Sequence, residues 1–258
     1  MESFFLFIVI FCTLFFIVIY TFDYFIRTPG YKGPVSDHFD GREFYSIGKG
    51  YKIRENIPGE GHNESFLKWI IFRPRNTWHH KKNSHTPILE KRVGGKRIIV
   101  TYINHSTVFI QTESLNILTD PVWAHRVSPF PLMGPVRYRP PGVKLSDLPP
   151  VDVVLLSHNH YDHMDIKTLR AISIKDNPKI FTSLGNSRYL KSRRIKGAKD
   201  MDWWDKEVIS PEINLVSVPA QHFSGRAFSD RNKTLWCGFV KETKRGNIYF
   251  AGDTGYGG

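Results

Sequence analysis

The sequence predicts an α/β protein, a layered αββα domain carried behind an N-terminal membrane-spanning helix. Three observations point there. The stretch Phe4 to Phe22 holds no charged residue. Two sets of short β-type runs follow with helical segments between them, the texture of sheets covered by helices. Between the sets, Val153-Val154-Leu155-Leu156 runs directly into Ser157-His158-Asn159-His160-Tyr161-Asp162-His163, a buried strand with metal-ligand residue types at its tip. With 258 residues, 41% of them hydrophobic and 23% charged, the chain can bury a full core, which excludes disorder for most of it.

The N-terminal run is apolar on every helical face and would span about 28 Å as a helix, against a hydrocarbon core of about 30 Å. A cleaved signal peptide is the competing reading. Against it, Met1-Glu2-Ser3 lacks a basic residue and no small-x-small cleavage site follows. Arg27, Lys32, Arg42, Lys49 and Lys52 lie downstream with no Lys or Arg upstream. The positive-inside bias therefore predicts a membrane anchor with the body of the protein on the cytoplasmic side. The predicted organisation is an anchor over 1–27, a linker with a short amphipathic helix and a basic extension over 28–96, and a catalytic domain over 97–258.

Thr28 to Pro58 is rich in Gly and Pro and reads as a linker. Glu64 to Phe72 has apolar residues at i, i+3 and i+4, with Asn63 as N-cap and Pro74 as stop. The basic residues from Arg73 to Arg97 fit contact with an anionic bilayer, at up to about 1 kcal/mol each; a solvated loop is the alternative. The formal net charge of +12 favours anionic partners. No interleaving of aromatic and basic residues marks a nucleic-acid-binding element, so nucleic acid is not expected. Cys12 and Cys237 form no disulfide framework and read as small buried hydrophobes.

From Arg97 the pattern predicts strands at Ile98–Ile103, Val108–Thr112 and Ile117–Thr119. A proline-rich loop follows, from Asp120 to Pro150, of a length more often functional than idle. After the His/Asp tip a helix is expected from near Met164, with its periodicity clearest over Ile166–Ile174. Then come a strand at Ile180–Thr182, a short helix including Asn186 to Lys191, and strands at Glu207–Ile209, Ile213–Val218, Leu235–Val240 and Asn247–Ala251.

His158 and His160 are two apart, so extended backbone sends both imidazoles to one face. Asp162 and His163 then form a neighbouring carboxylate-imidazole pair. Nitrogen and carboxylate donors without thiolates suit Zn²⁺, with Mn²⁺ or Fe²⁺ chemically tolerable. A lone histidine is more often structural, but this density of candidates reverses that expectation. Two later strands share the grammar: Val216 to Val218 leads to His222, and Tyr249 to Ala251 leads to Asp253 in a Gly-flanked turn.

Together these stretches resemble the metallo-β-lactamase superfamily, whose hallmark is His-x-His-x-Asp-His at a strand end. The likeness runs from about Arg97 to the last residue. In detail it resembles the N-acylphosphatidylethanolamine-hydrolysing phospholipase D family and its bacterial relatives, through Leu118-Thr119-Asp120-Pro121, Ser128-Pro129, Met133-Gly134-Pro135, Asp202-Trp203-Trp204 and Phe250-Ala251-Gly252-Asp253-Thr254-Gly255-Tyr256. The resemblance implies a four-layer αββα fold and two zinc ions. His158, His160 and His222 would hold one; Asp162 and His163 belong to the second, and Asp253 bridges the pair. Asp162 would also handle protons on water at the metal. Asp120 and His105 occupy the places of residues that orient ligands from behind, Asn104 stands where relatives often have Gly, and Tyr161 is a candidate wall or proton-sharing residue of the substrate pocket. The family supplies a last histidine to the second zinc well after the bridging aspartate, and this sequence stops at Gly258; a fragment is the expectation, with the C-terminal part of the fold missing. The implied reaction is metal-assisted hydrolysis of a phospholipid phosphodiester. A lactonase or nuclease on the same fold, or an inactive remnant, are the alternatives, and a homodimer stays open.

Overall fold

A computed structural model describes residues 2–46, 87–130, 132 and 134–255. The amphipathic helix expected at 64–72 and the basic residues from Arg73 to Lys82 lie outside the described residues.

The first helix, α1 (Glu2–Ile26), is continuous. Its span Phe4–Ile26 has a mean hydropathy of 2.8, and none of its most apolar window is buried in the fold. It is long and apolar enough to cross a membrane and could anchor the chain.

Six strands form the first sheet: β1 (Ile98–Asn104), β2 (Thr107–Thr112), β3 (Leu115–Thr119), β4 (Val153–Leu156), β5 (Lys179–Ser183) and β6 (Ala198–Met201), in that spatial order. The first three are joined by tight turns and pair antiparallel. From β3 onward the pairing is parallel, because each return crosses over through a longer segment. Two of those crossovers carry helices, α2 (Ile166–Asp176) and α3 (Asn186–Ser192). The second sheet is antiparallel, β7 (Lys206–Ser210), β8 (Ile213–Val218), β9 (Gly238–Glu242) and β10 (Ile248–Phe250), in the order β10-β9-β8-β7.

Strand alternation divides the apolar residues between two cores. In β4, Val153 and Leu155 face the second sheet and meet Leu215 and Phe239. Val154 and Leu156 face the opposite way, onto Leu169 and Ile172 of α2 and Leu190 of α3. All four β4 side chains are buried, which is why this strand reads as an unbroken apolar run. The described residues thus build a helix layer and two sheets of the αββα arrangement. Among them no helix covers the outer face of the second sheet, where Val208 and Tyr249 are exposed.

Five details differ from the sequence reading, the first being Cys12, expected as a small buried hydrophobe but exposed on α1, whereas Cys237 is buried. The helix expected near Met164 begins at Ile166, because Asp165 turns its carboxylate onto the N–H groups of Lys167 and Thr168 and caps it. Leu235 to Cys237, expected as strand, precede β9 and are fixed by other partners: Leu235 N–H donates to the Leu184 carbonyl and Cys237 N–H to the Ser157 carbonyl. β6, Ala198-Lys199-Asp200-Met201, shows no apolar pattern and forms through pairing with β5. The segment 28–46, expected to be linker, packs on the domain: Phe44 is 1% exposed in the inter-sheet core, with the rings of Phe39 and Tyr31 4.7 Å and 5.2 Å away.

Candidate metal centre

Every candidate ligand sits at the same end of the sandwich, on or beside the tips of β4, β8 and β10. β4 ends at Leu156, and Ser157 N–H donates to Asp120 Oδ1 at 2.8 Å while Asp120 N–H donates to the Leu155 carbonyl. The loop after β3 is thereby fastened to the start of the histidine motif. Asp120 is fully buried, with a φ of 32° outside the usual range for a non-glycine residue. Such strain persists where the surroundings over-determine it.

His158 Nε2 lies 2.8 Å from His160 Nδ1, and His222 Nε2 lies 3.2 Å from the same atom. Three ring nitrogens therefore converge on one point, the arrangement that neutral imidazoles adopt around a shared cation. The far nitrogen of His158 lies 2.9 Å from Ser157 Oγ, leaving Nε2 as its site-facing atom. A second convergence lies beside it. His163 Nδ1 is 2.6 Å from Asp120 Oδ2, so Nε2 faces the site, 3.2 Å from Asp253 Oδ2 and 3.8 Å from Asp162 Oδ2. Asp253 Oδ2 is also 3.7 Å from His222 Nε2 and so lies between the two groups.

The structure places Asp120 behind His163 and places His105 elsewhere. His105 Nε2 is 3.3 Å from His163 Nε2 and 3.2 Å from Asp162 Oδ2, facing the second convergence from the front, on a turn with φ of 41°. Both donor sets, three imidazoles and a mixed imidazole-carboxylate group, fit borderline divalent ions such as Zn²⁺. His158, His160 and His222 have donor atoms within 4.8 Å of one another, as do His105, His163 and Asp253.

Burial and mutual repulsion set the electrostatics without a cation. Burial pushes His158 well below its usual value, with the neighbouring histidines adding to it. Burial likewise takes His160 down to about 4 and lowers His222. Burial also acts downward on His163, but the Asp120 carboxylate overrides it and raises the group to about 10. Burial acts upward on Asp162, yet the hydrogen bond from His105 and the charge of His163 bring it to about 2. The first group is thus three neutral acceptors ready for a cation, and the second is a proton held among carboxylates, which a divalent ion can displace.

Tyr161, half-buried, packs against Arg226. Its hydroxyl donates to the Arg226 carbonyl at 3.1 Å, the Arg226 guanidinium lies 3.9 Å over its ring, and burial pushes the phenol up to about 12. Arg226 was missed by sequence reasoning. It is 8% exposed, and its guanidinium donates to the Asn159 and Met164 carbonyls at 2.7 and 3.0 Å, clamping both ends of the ligand loop. Asp165 was missed too: besides capping α2 it accepts from the N–H groups of Trp123 and Ala124, tying the loop after Asp120 to the motif. A single Arg or Asp in a loop carries no periodic or spacing signal, so neither was visible in the sequence.

Two face-to-face sheets, a helix layer and a histidine-aspartate cluster at the strand tips define a protein of the metallo-β-lactamase fold class. Residues 115–258 match the description of the beta-lactamase superfamily domain, and the chain belongs to that superfamily. An uncharacterized protein of Mycobacterium tuberculosis is 39% identical over 166 residues, 64% of this chain and 44% of that protein. N-acyl-phosphatidylethanolamine-hydrolyzing phospholipase D 1 of Caenorhabditis elegans is 36% identical over 169 residues, 62% of this chain and 47% of the worm protein. The mitochondrial N-acyl-phosphatidylethanolamine-hydrolyzing phospholipase D of Saccharomyces cerevisiae is 32% identical over 174 residues, 65% of this chain and 37% of the yeast protein. The chain thus spans less than half the length of these relatives.

Proposed function

We propose that the chain belongs to a zinc-dependent phosphodiesterase of the phospholipase D type, which hydrolyses N-acylphosphatidylethanolamine-like lipids at a membrane. The observation that carries this reading is the pair of convergences sharing Asp253: three imidazole nitrogens on one side, His163 and Asp162 on the other. Two relatives named for phospholipase D activity support the substrate class.

In this reading His158, His160 and His222 would hold one ion, Asp162 and His163 a second, and Asp253, placed between the two groups, would contribute to holding them. A zinc ion bound there would supply Lewis acidity, lowering the pKa of water toward about 7 and neutralising charge on a phosphoryl group. The remaining work falls to the chain. Asp120 keeps the His163 proton on Nδ1, so that Nε2 is free to act as a donor. Asp162, held as a carboxylate by His105 and His163, would accept the proton that the attacking water loses and return it to the N-acylethanolamine oxygen as the P–O bond breaks. Arg226 fixes the loop that carries these groups, and positioned charge is what phosphoryl transfer chiefly requires. Helix α1 fits a membrane anchor, with the body on the cytoplasmic side from the distribution of basic residues.

The test is mass spectrometry of products from N-acylphosphatidylethanolamine vesicles. N-acylethanolamine and phosphatidic acid are expected to form with zinc, and to vanish in His160→Ala and Asp162→Asn. Product formation unchanged in those variants sinks the assignment.

A further inference from the structure

Helix α1 does not end in solvent. Its last turns are built into the two loops that flank the metal centre. Phe22 stacks on Phe130 of the loop after Asp120, with ring centroids 4.4 Å apart and planes 9° from parallel. Asp23, 7% exposed, accepts from the N–H groups of Phe228 and Ser229 at 2.8 and 3.0 Å and from the Ser229 hydroxyl. Asp230 returns the contact, accepting from Thr28 N–H and Oγ1 at 2.7 and 2.8 Å. The same loops reach the ligand motif at their other ends. Gly225 N–H donates to Asn159 Oδ1, and Trp123 and Ala124 donate to Asp165.

This geometry fixes a height. Phe22 lies within the apolar span Phe4–Ile26, four residues or about 6 Å from its end. A ring stacked on Phe22 therefore lies near the boundary between hydrocarbon and headgroups when α1 spans a bilayer. Around that level the two loops turn apolar side chains outward: Phe130 is 40% exposed, Leu132 87% and Phe228 80%. In an aqueous setting such exposure is unfavourable and marks an interaction surface. Two cations border it, Arg126, whose guanidinium donates to the Gly134 carbonyl, and Arg231, whose guanidinium lies 4.4 Å over Phe223. Apolar tips with basic residues beside them are the chemistry that a phospholipid bilayer accepts.

We propose that the loops carrying Phe130, Leu132 and Phe228 dip into the bilayer beside α1 and seat the mouth of the metal centre on the membrane surface. The occupant of this apolar rim is the phospholipid bilayer itself, because the rim is continuous with the span of α1. The inference deepens the functional reading and rests on α1 crossing the membrane. A lipid then enters the site by lateral diffusion, without leaving the membrane. Phe223, whose ring lies 4.7 Å from that of His160, joins the rim to the ligands.

The test labels introduced cysteines with an environment-sensitive fluorophore in the full chain carrying Cys12→Ser, whose remaining Cys237 is buried, reconstituted in phosphatidylcholine bilayers with or without bromine along the acyl chains. Leu132→Cys and Phe228→Cys report the rim and Phe15→Cys the helix. Lys244→Cys, on the turn between β9 and β10 at the opposite end of the sandwich, is the control. Labels at 132 and 228 are expected to lose most of their emission in brominated bilayers while the label at 244 keeps it. Quenching at 15 without quenching at 132 and 228 overturns the rim and leaves the anchor standing. No quenching at 15 overturns the anchor and the rim with it. Product assays on the same samples follow the hydrolase reading separately, since turnover does not enter the fluorescence result.

Discussion

Asp120→Asn alters one atom in the fully buried second rank of the centre and leaves volume unchanged. The carboxylate has its acceptors filled: Oδ1 takes Ser157 N–H at 2.8 Å, and Oδ2 takes Ser157 Oγ at 2.6 Å and His163 Nδ1 at 2.6 Å. An amide cannot serve both sides. If its NH₂ faces His163, two donors confront each other or the ring shifts its proton to Nε2, the atom needed for a metal. If its NH₂ faces Ser157, it meets the backbone N–H. Either arrangement leaves a buried group unsatisfied, at about 1–3 kcal/mol of fold stability. The hydrogen-bond partner of a metal-ligating histidine is worth about 10–100-fold in metal affinity, or about 1.4–2.7 kcal/mol. Competition with a zinc chelator reads this directly. On the proposed two-ion reading, the second equivalent of zinc is expected to weaken by that factor, while the first, which His158, His160 and His222 would hold, changes little. Two superimposable zinc isotherms for wild type and variant would refute the role given to Asp120.

Other outcomes follow from the same geometry. In chelator, stability of the metal-free protein should peak near pH 6.5. His160, depressed to about 4, and His158 and His222, also depressed, cost stability as pH falls below 6.5, where the unfolded chain takes up protons that the fold does not. His163, raised to about 10, contributes stability that is present below 6.5 and lost as pH rises toward 10; urea melts across pH that rise steadily through 6.5 contradict these shifts. Arg226→Met keeps the apolar stem over Tyr161 but strips the Asn159 and Met164 carbonyls of their donor, and should cost about 2–4 kcal/mol in denaturant titration. Asp165→Ala removes the cap of α2 and orphans the N–H groups of Trp123 and Ala124; a loss of about 2–4 kcal/mol is expected, and a loss confined to a few tenths argues that water replaces the carboxylate.

What was legible in the sequence follows a physical rule. β4 and the histidine motif could be read because burial on both faces enforces an apolar run and metal binding enforces residue type and spacing together. Asp253 and His222 became legible only through the resemblance to the metallo-β-lactamase superfamily, because a His or Asp just past a strand is by itself most often a solvated turn residue. β6 could not be read: Lys199 and Asp200 carry no β signal, and the strand exists because β5 offers a parallel edge, a partner distant in the chain. The segment 28–46 was misjudged for a related reason. Its Gly and Pro residues describe how the backbone turns, whereas the burial of Phe44 depends on a pocket made by residues far away in the sequence. The same distinction separates the ligands from their support. A ligand is named by the chemistry of its own side chain, but Asp165, Arg226 and Asp23 matter through backbone groups they reach across gaps of about forty to two hundred residues, and backbone groups leave no mark in a sequence. Asp23 shows the consequence most sharply. Its side chain lies just past the apolar run Phe4 to Phe22, and only its partners at Phe228 and Ser229 show that the end of the helix is hydrogen-bonded to a loop beside the candidate metal centre.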